Sequence, residues 1–193
     1  MSFIAKDNSF TGAELCKYEP SGTSGLVKDI RDGSSSSSAR HLTVYNNKLY
    51  FVALDGINSG YRLWSSDGTE NGTEIISNSI SLFDRETYYP IVYNDDLYFT
   101  GNDGTNGYEL WKTKGSNAST VLVSNIKTGA ANSNPSNFFV FNNELYFKAS
   151  TNSNGTELLK YAPQDFFNGA SLINSNNWSE TTNWDTGSLP TST

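Results

Sequence analysis

Three aspartates recur at one place in a repeated phrase and could supply a binding chemistry. The phrases are "DNSFTGAELC", "DGINSGYRLW" and "DGTNGYELW", and they begin at Asp7, Asp55 and Asp103. If these carboxylates meet at one mouth of the fold, their oxygens could hold a cation such as Ca²⁺. Alternatively, each carboxylate accepts backbone N–H groups within its own turn, which suits the glycines after Asp55 and Asp103. No closely spaced run of aspartates occurs, which favours the turn role, so no cofactor is expected and calcium is the weaker alternative.

Few residues form a recognisable catalytic group. His41 is the only histidine and precedes a predicted strand, where we expect it to border the fold rather than to act as a base. Cys16 is the only cysteine, which excludes an internal disulfide and a site built from several thiolates. The carboxylates are many but scattered, and a glycosidase-like pair is the low-ranked alternative because such pairs come together only in space. The sequence therefore predicts a protein that is not an enzyme.

The elements that position these residues follow a strict repeat. Phe51, Phe99 and Phe147 each end the tripeptide "LYF" and lie 48 residues apart (99 − 51 and 147 − 99), and Phe3 lies 48 residues before the first of them. Each full copy opens with two alternating apolar and polar segments around Asn-Asn or Asn-Asp, which is typical of a two-residue hairpin. Two further strand-like segments follow. One copy therefore holds four strands, which is the size of a propeller blade.

We therefore predict an all-β fold, a β-propeller of about four four-stranded blades built on the 48-residue repeat. The repeat domain spans residues 1–174, with copies near 1–37, 38–85, 86–133 and 134–174. Residues 175–193 are predicted to be a tail or the start of a following extracellular β module, and Ala170 to Asn174 to supply the fourth strand of the last copy. Because a propeller must avoid an open edge, we expect the tail to pair with the first copy; pairing with another chain is the alternative.

One position in the third strand of each copy holds an apolar side chain. It is Cys16 in the first copy, Trp64 in the second, Trp111 in the third and Leu159 in the fourth. These side chains share no chemistry, but all of them suit a buried gap between neighbouring blades. We therefore expect this position to belong to the core.

The third strand and the turn after it carry a recognisable motif. "YRLWSSDGTENGT" runs from Tyr61 to Thr73, and "ELWKTKGSNAST" starts at Glu109. These segments resemble the bacterial ELWxxDGT-repeat proteins, with Arg62 in place of the Glu of the motif and Lys114 in place of its Asp. The resemblance implies a large secreted or cell-surface protein made of β-propeller repeats, with a blade layout similar to that of kelch blades.

The segments that link consecutive copies are candidates for a binding surface. They span residues 31–41, 81–90 and 127–137. They differ in sequence while the strands do not, and in a propeller they share one face with the aspartate-bearing turns; function favours such loops on a rigid scaffold. Arg85, Tyr88 and Tyr89 are predicted to stack against a sugar or contact a protein, together with the three aspartates. The alternative is that these segments are solvated linkers.

Charge and hydropathy exclude two classes of partner. The net charge is −7 and no basic patch offsets it, which excludes nucleic acid. No apolar stretch approaches the roughly 20 residues that span a bilayer, so membrane insertion is not expected. We predict an extracellular or bacterial cell-surface binding or adhesion module, with a glycan or surface protein as partner. The alternative is a structural spacer or self-assembling element of a large surface protein or filament.

Overall fold

The fold is all-β, as predicted. The computed structural model describes residues 2–8, 12–18, 20–57, 60–83, 88–162 and 171–174. These residues form sixteen β-strands and one 3₁₀ turn at Asn117–Ser119, and no α-helix occurs among them. Every strand pairing among them is antiparallel, and the strands are grouped in four open sheets, one for each copy of the repeat.

The sheets follow one another along the chain. Sheet 1 consists of β1 (Ser2–Asn8), β2 (Gly12–Tyr18) and β3 (Ser24–Lys28). Sheet 2 consists of β4 (Arg40–Tyr45), β5 (Lys48–Ala53), β6 (Arg62–Ser66) and β7 (Glu74–Ile75). Sheet 3 consists of β8 (Ser81–Leu82), β9 (Ile91–Tyr93), β10 (Asp96–Asn102), β11 (Glu109–Thr113) and β12 (Val121–Ser124). Sheet 4 consists of β13 (Ser136–Phe141), β14 (Glu144–Ser150), β15 (Thr156–Ala162) and β16 (Ser171–Asn174).

The hairpins that open sheets 2, 3 and 4 turn on two residues with positive φ. These residues are Asn46 and Asn47, Asn94 and Asp95, and Asn142 and Asn143. Positive φ at both central residues defines a type I′ turn, whose twist matches that of the flanking strands, and Asn and Asp tolerate it better than other residues that carry a side chain. The hairpins predicted from the Asn-Asn and Asn-Asp pairs are therefore confirmed.

The core lies between consecutive sheets. Because side chains alternate along a strand, sheets 2 and 3 present an apolar face on each side. Three buried clusters result, one between sheets 1 and 2, one between sheets 2 and 3, and one between sheets 3 and 4. Trp64 belongs to the first cluster, Trp111 to the second and Leu159 to the third. All three and Cys16 are buried, so the core assignment of this position is confirmed.

A tyrosine hydroxyl ties each of two hairpins to the next. Tyr45 donates to the backbone oxygen of Asp95 at 2.8 Å, and Tyr93 donates to that of Asn143 at 3.0 Å. The two bonds are the same contact displaced by one repeat. The hydroxyl therefore fixes the position of each hairpin relative to its neighbour.

The Glu of the "ELW" motif is a buried carboxylate that joins one copy to the next. The Glu14 carboxylate accepts the backbone N–H of Ile30 at 3.1 Å and that of Ser37 at 2.7 Å. Ile30 follows the last strand of sheet 1, and Ser37 precedes the first strand of sheet 2. The oxygen of Ser37 then accepts the N–H of Leu54, at the end of β5, at 2.8 Å. The carboxylate thus holds the linking segment against the following sheet.

The third copy repeats this contact and strengthens it. Glu109 accepts the N–H of Ile126 at 2.8 Å, and it accepts both the N–H and the hydroxyl of Ser133, at 3.0 and 2.6 Å. Ser133 in turn accepts the N–H of Ser150 at 2.7 Å. Both motif glutamates are fully buried, and burial raises the pKa of each carboxyl although the donated hydrogen bonds oppose that rise.

The second copy builds the junction from a different side chain. Arg62 replaces the motif Glu, and its guanidinium donates to the backbone oxygen of Tyr61 at 3.0 Å. The N–H of Leu82 also donates to that oxygen, at 2.9 Å, while β8 pairs with the end of β10. Among the described residues, the link to sheet 3 therefore runs through the Tyr61 oxygen and the short strand β8.

Sheet 1 departs from the repeat in its register. In sheet 2, Phe51 lies opposite Trp64. In sheet 1, the residue opposite Cys16, which is the counterpart of Trp64, is Ile4 and not Phe3. A shift of one residue exchanges the two faces of a strand. The predicted equivalence of Phe3 with the later phenylalanines therefore holds for the spacing in sequence and not for the pairing.

The last copy gains the fourth strand expected from its sequence. β16 pairs with β15 in a register that runs from Leu159 opposite Asn174 to Ala162 opposite Ser171. The strand lies within the predicted segment from Ala170 to Asn174. The tail from 175 to 193, which was expected to close the ring against the first copy, lies outside the described residues.

Replacing Trp111 with Ala should lower the free energy of unfolding by about 3–5 kcal/mol, because a large ring is removed from between sheets 2 and 3. Urea unfolding measures the change. The matched control is Val44→Ala, at a side chain on β4 that is 72% exposed, where the change should stay within about 0.5 kcal/mol. A loss for the Trp111 variant no larger than for this control would contradict the core assignment.

Replacing Glu109 with Gln should alter how stability depends on pH. Since burial raises the pKa of Glu109 above its ordinary value of 4.5, the stability it contributes is complete below that pH and is lost as the pH rises through the folded pKa. The free energy of unfolding of the natural chain, minus that of the variant, should therefore fall over this window and then level off. Urea unfolding at a series of pH values measures it, with Glu70→Gln at an exposed carboxylate as control. A difference that rises with pH would show that the hydrogen bonds outweigh burial.

Candidate functional site

The linking segments lie against the aspartate-bearing turns at one end of the sheets. The N–H of Ala13 donates to the Ser36 hydroxyl at 2.9 Å, and a Cβ at Gly12 would come within 2.7 Å of the Ser35 backbone. In the third copy, the Asn132 side chain accepts the N–H of Tyr108 at 2.9 Å. In these two copies the linking segment therefore contacts the residues that follow the aspartate-bearing turn.

A cavity of about 530 Å³ opens at this end between sheets 1 and 2. Sheet 1 contributes the end of β3 and the residues that follow it. Sheet 2 contributes β6, β7 and the residues after β7, together with residues of the turn after β5. The lining residues are Lys28, Asp29, Ile30, Asp32, Asp55, Ile57, Trp64, Ile75 and Asn78. Its volume lies within the usual range for small-molecule sites. We call it the first groove.

Two polar atoms of the lining residues lack a hydrogen-bond partner in the described part of the chain. They are the indole Nε1 of Trp64 and the Oδ1 of Asp29, and both atoms are buried. Leaving a buried donor or acceptor unpaired costs about 1–3 kcal/mol. An indole N–H only donates and a carboxylate oxygen only accepts, so a hydroxyl group, which does both, has the chemistry to pair with either atom.

The charge of the first groove is negative. Asp29, Asp32 and Asp55 supply three carboxylates, and Lys28 is the one cation among the lining residues. Lys28 also donates to the backbone oxygen of Glu70 at 3.4 Å. This balance disfavours phosphate, sulfate and carboxylate groups and favours a neutral or cationic ligand.

The corresponding groove between sheets 2 and 3 is filled. Ile80 stands one repeat after Asp32 and is buried in the cluster that contains Trp111. A Cβ at Gly101 would come within 2.5 Å of the Ile80 side chain, which shows how closely this gap is packed. Trp111 also has an unpaired Nε1, but its surroundings are occupied by apolar side chains. The acidic residue at position 32 therefore distinguishes the first groove.

The gap between sheets 3 and 4 has no tryptophan indole at the position of Trp64. Leu159 occupies the place that Trp64 holds in the first groove, and Thr128 stands at the position of Asp32. Among the described residues, only the first of the three gaps therefore combines an aromatic N–H donor with an acidic residue at the position of Asp32.

The predicted aspartates serve their own turns where their side chains are described. Asp55 accepts the N–H of Ile57 at 2.9 Å, and Asp103 accepts those of Thr105 and Asn106, both at 2.8 Å. Burial raises the pKa of Asp103, but the N–H groups of Asn106 and Thr105 outweigh it and hold that pKa below its ordinary value. Asp55 also lines the first groove, and Asp103 lies at the equivalent turn of the third copy.

The remaining predicted residues lie elsewhere or outside the description. The side chain of Asp7 and all of Arg85 are outside the described residues. Tyr88 is 8% exposed and its ring contacts Phe83, whereas Tyr89 is 54% exposed. The Tyr89 ring meets that of His41, edge to face, with 4.5 Å between ring centroids. Neither tyrosine lines the first groove.

Sequence reasoning did not select Asp29, Asp32 or Trp64 as site residues. Trp64 was assigned to the core, and it is both a core residue and a wall of the groove. A difference between copies could have indicated Asp29 and Asp32. The segment that holds them reads "VKDIRD", whereas the equivalent segment one copy later reads "IISNSI" and carries no charge.

Among the described residues, no group of three or more His, Cys, Asp or Glu side chains is arranged to hold a metal ion. A search of that same part of the chain for a helix long and apolar enough to cross a membrane finds none. No established protein family matches the chain, and no curated protein matches it either.

Replacing Trp64 with Phe should change the free energy of unfolding by only about 1 kcal/mol, because it keeps a ring while removing the unpaired N–H. Replacing Trp64 with Ala, by contrast, should cost on the order of 3–5 kcal/mol. Thermal and urea unfolding of both variants give the comparison. Equal losses in the two would mean that the indole N–H makes a stabilising bond within the fold.

Proposed function

We propose that this chain is a non-catalytic binding module that takes up a neutral or amino-bearing saccharide in the first groove. The observation that carries the proposal is the pair of buried unpaired atoms, Trp64 Nε1 and Asp29 Oδ1, among the residues that line one cavity. A saccharide hydroxyl has the chemistry to accept from the indole and to donate to the carboxylate, once side-chain movement uncovers these two atoms. The carboxylates of Asp32 and Asp55 add a preference for amino-bearing or uncharged sugars over acidic ones.

The finer architecture is part of the same proposal. We infer that the four sheets are blades of a propeller-type array, each built on the 48-residue repeat. The support is that three consecutive pairs of sheets stack through equivalent side chains and that the junctions recur one or two repeats apart. In such an array the linking segments and turns gather at one face, where a ligand reaches them.

The setting follows from the resemblance to ELWxxDGT-repeat proteins. On that basis the module belongs to an extracellular or cell-surface bacterial protein, where glycans and surface proteins are the available partners. The acidic balance of the chain supports the expectation that nucleic acid is not among them.

Asp32→Ile should abolish saccharide binding, because an isoleucine at the equivalent position fills the gap between sheets 2 and 3. An array of neutral, amino-bearing and acidic oligosaccharides identifies the ligand, and titration calorimetry then compares the variants. We expect the Asp32 variant to bind at least about tenfold more weakly, which corresponds to about 1.4 kcal/mol.

The matched control is Thr128→Ile, which makes the same side chain at the equivalent position of the third copy. It should bind as the natural chain does, and both variants should keep their melting temperatures. Acidic oligosaccharides that bind as well as neutral ones, or an Asp32 variant that binds unchanged, would contradict the proposal.

A further inference from the structure

The outer face of sheet 4, the side turned away from sheet 3, carries exposed aromatic side chains. Phe139 is 44% exposed and Phe141 is 58% exposed. Phe139 and Tyr146 are cross-strand partners whose rings stack at 5.3 Å between centroids. These three residues define what we call the trailing face. Large apolar patches that are left exposed mark interaction surfaces.

The trailing face repeats a surface that already holds a sheet. One repeat earlier, the same positions on sheet 3 are Ile91, Tyr93 and Tyr98, which pack in the cluster shared with sheet 4. The ion pair on the two faces also recurs, as Lys112–Asp96 on sheet 3 and Lys160–Glu144 on sheet 4, each at 2.8 Å. The carboxylate of the first pair is 10% exposed and that of the second is 38% exposed, while the two lysines are 32% and 26% exposed.

The opposite end of the array exposes part of the complementary surface. Leu26 lies opposite Cys16 in the pairing of β2 and β3, as Ile75 lies opposite Trp64 and Leu122 opposite Trp111. Ile75 and Leu122 each pack against the sheet that precedes their own. Leu26 is 43% exposed and Tyr18, on the same side of sheet 1, is 48% exposed, whereas Cys16 on that side is buried. We call Leu26 and Tyr18 the leading face.

We propose that the trailing face of one chain binds the leading face of a second copy, head to tail. The three established sheet-to-sheet contacts within the chain each join a trailing surface to a leading one, and this contact continues the series. Both terminal faces are exposed in the same structure, so neither covers the other among the described residues. An interface between two different surfaces is heterologous, and it produces open chains or rings of copies. The proposal is independent of saccharide binding.

Two variants test it, one on each face. Phe141→Glu places a charge on the trailing face and Leu26→Glu places one on the leading face, while Val44→Glu makes the same change at an exposed site of β4 on neither face. Sedimentation velocity over a wide range of concentration measures association. The natural chain and the Val44 variant should grow beyond one chain with concentration, and each face variant should associate at least about tenfold more weakly.

A mixture of the two face variants gives the decisive result. Each variant keeps one intact face, so the mixture should form dimers and nothing larger, although neither variant associates alone. A natural chain that stays monomeric, a Leu26 variant that associates as the natural chain does, or a mixture that fails to dimerise would each overturn the proposal. Circular dichroism confirms folding, and Phe139→Glu replaces the Phe141 variant if that one does not fold.

Discussion

The buried carboxylates of Glu14 and Glu109 are the contacts on which the arrangement of the sheets most depends. Each accepts backbone N–H groups from the end of its own copy and from the start of the next. A buried charge is costly unless it is hydrogen-bonded, so these carboxylates demand that the linking segment lie in one place. That placement brings each following sheet against the one before it and sets the width of the gap between the two sheets.

Single residues decide what the gap between two neighbouring sheets contains. Ile80 fills the gap between sheets 2 and 3, whereas Asp32 at the same position of the repeat leaves the first groove open. The same scaffold can therefore present a closed core and an accessible polar site without a change of fold. This is how a repeat protein acquires a local function while its framework stays constant.

The strands and the hairpin turns could be predicted from sequence because they depend on local chemistry, such as the positive φ that Asn46 and Asn47 tolerate. The burial of Trp64 and Trp111 could be predicted because the repeat places them at one position. The site could not, since it depends on which atoms remain unpaired when two sheets meet. Asp29 and Trp64 are 35 residues apart in sequence (64 − 29), and only the packed junction shows that they line one cavity. Tyr88 was expected in a binding surface and is 8% exposed with its ring against Phe83, and such a tertiary contact cannot be predicted from the sequence either.

The central claim is that the Trp64 indole N–H meets a sugar hydroxyl, and the ¹H–¹⁵N spectrum of the tryptophan side chains tests it directly. The chain has four tryptophans, and the spectra of the Phe variants at positions 64 and 111 assign two of the signals. During titration with neutral disaccharides and their amino-sugar counterparts, the Trp64 signal should move in a saturable way while the Trp111 signal stays in place. A Trp64 signal that does not respond, while a saccharide demonstrably binds, would contradict the account.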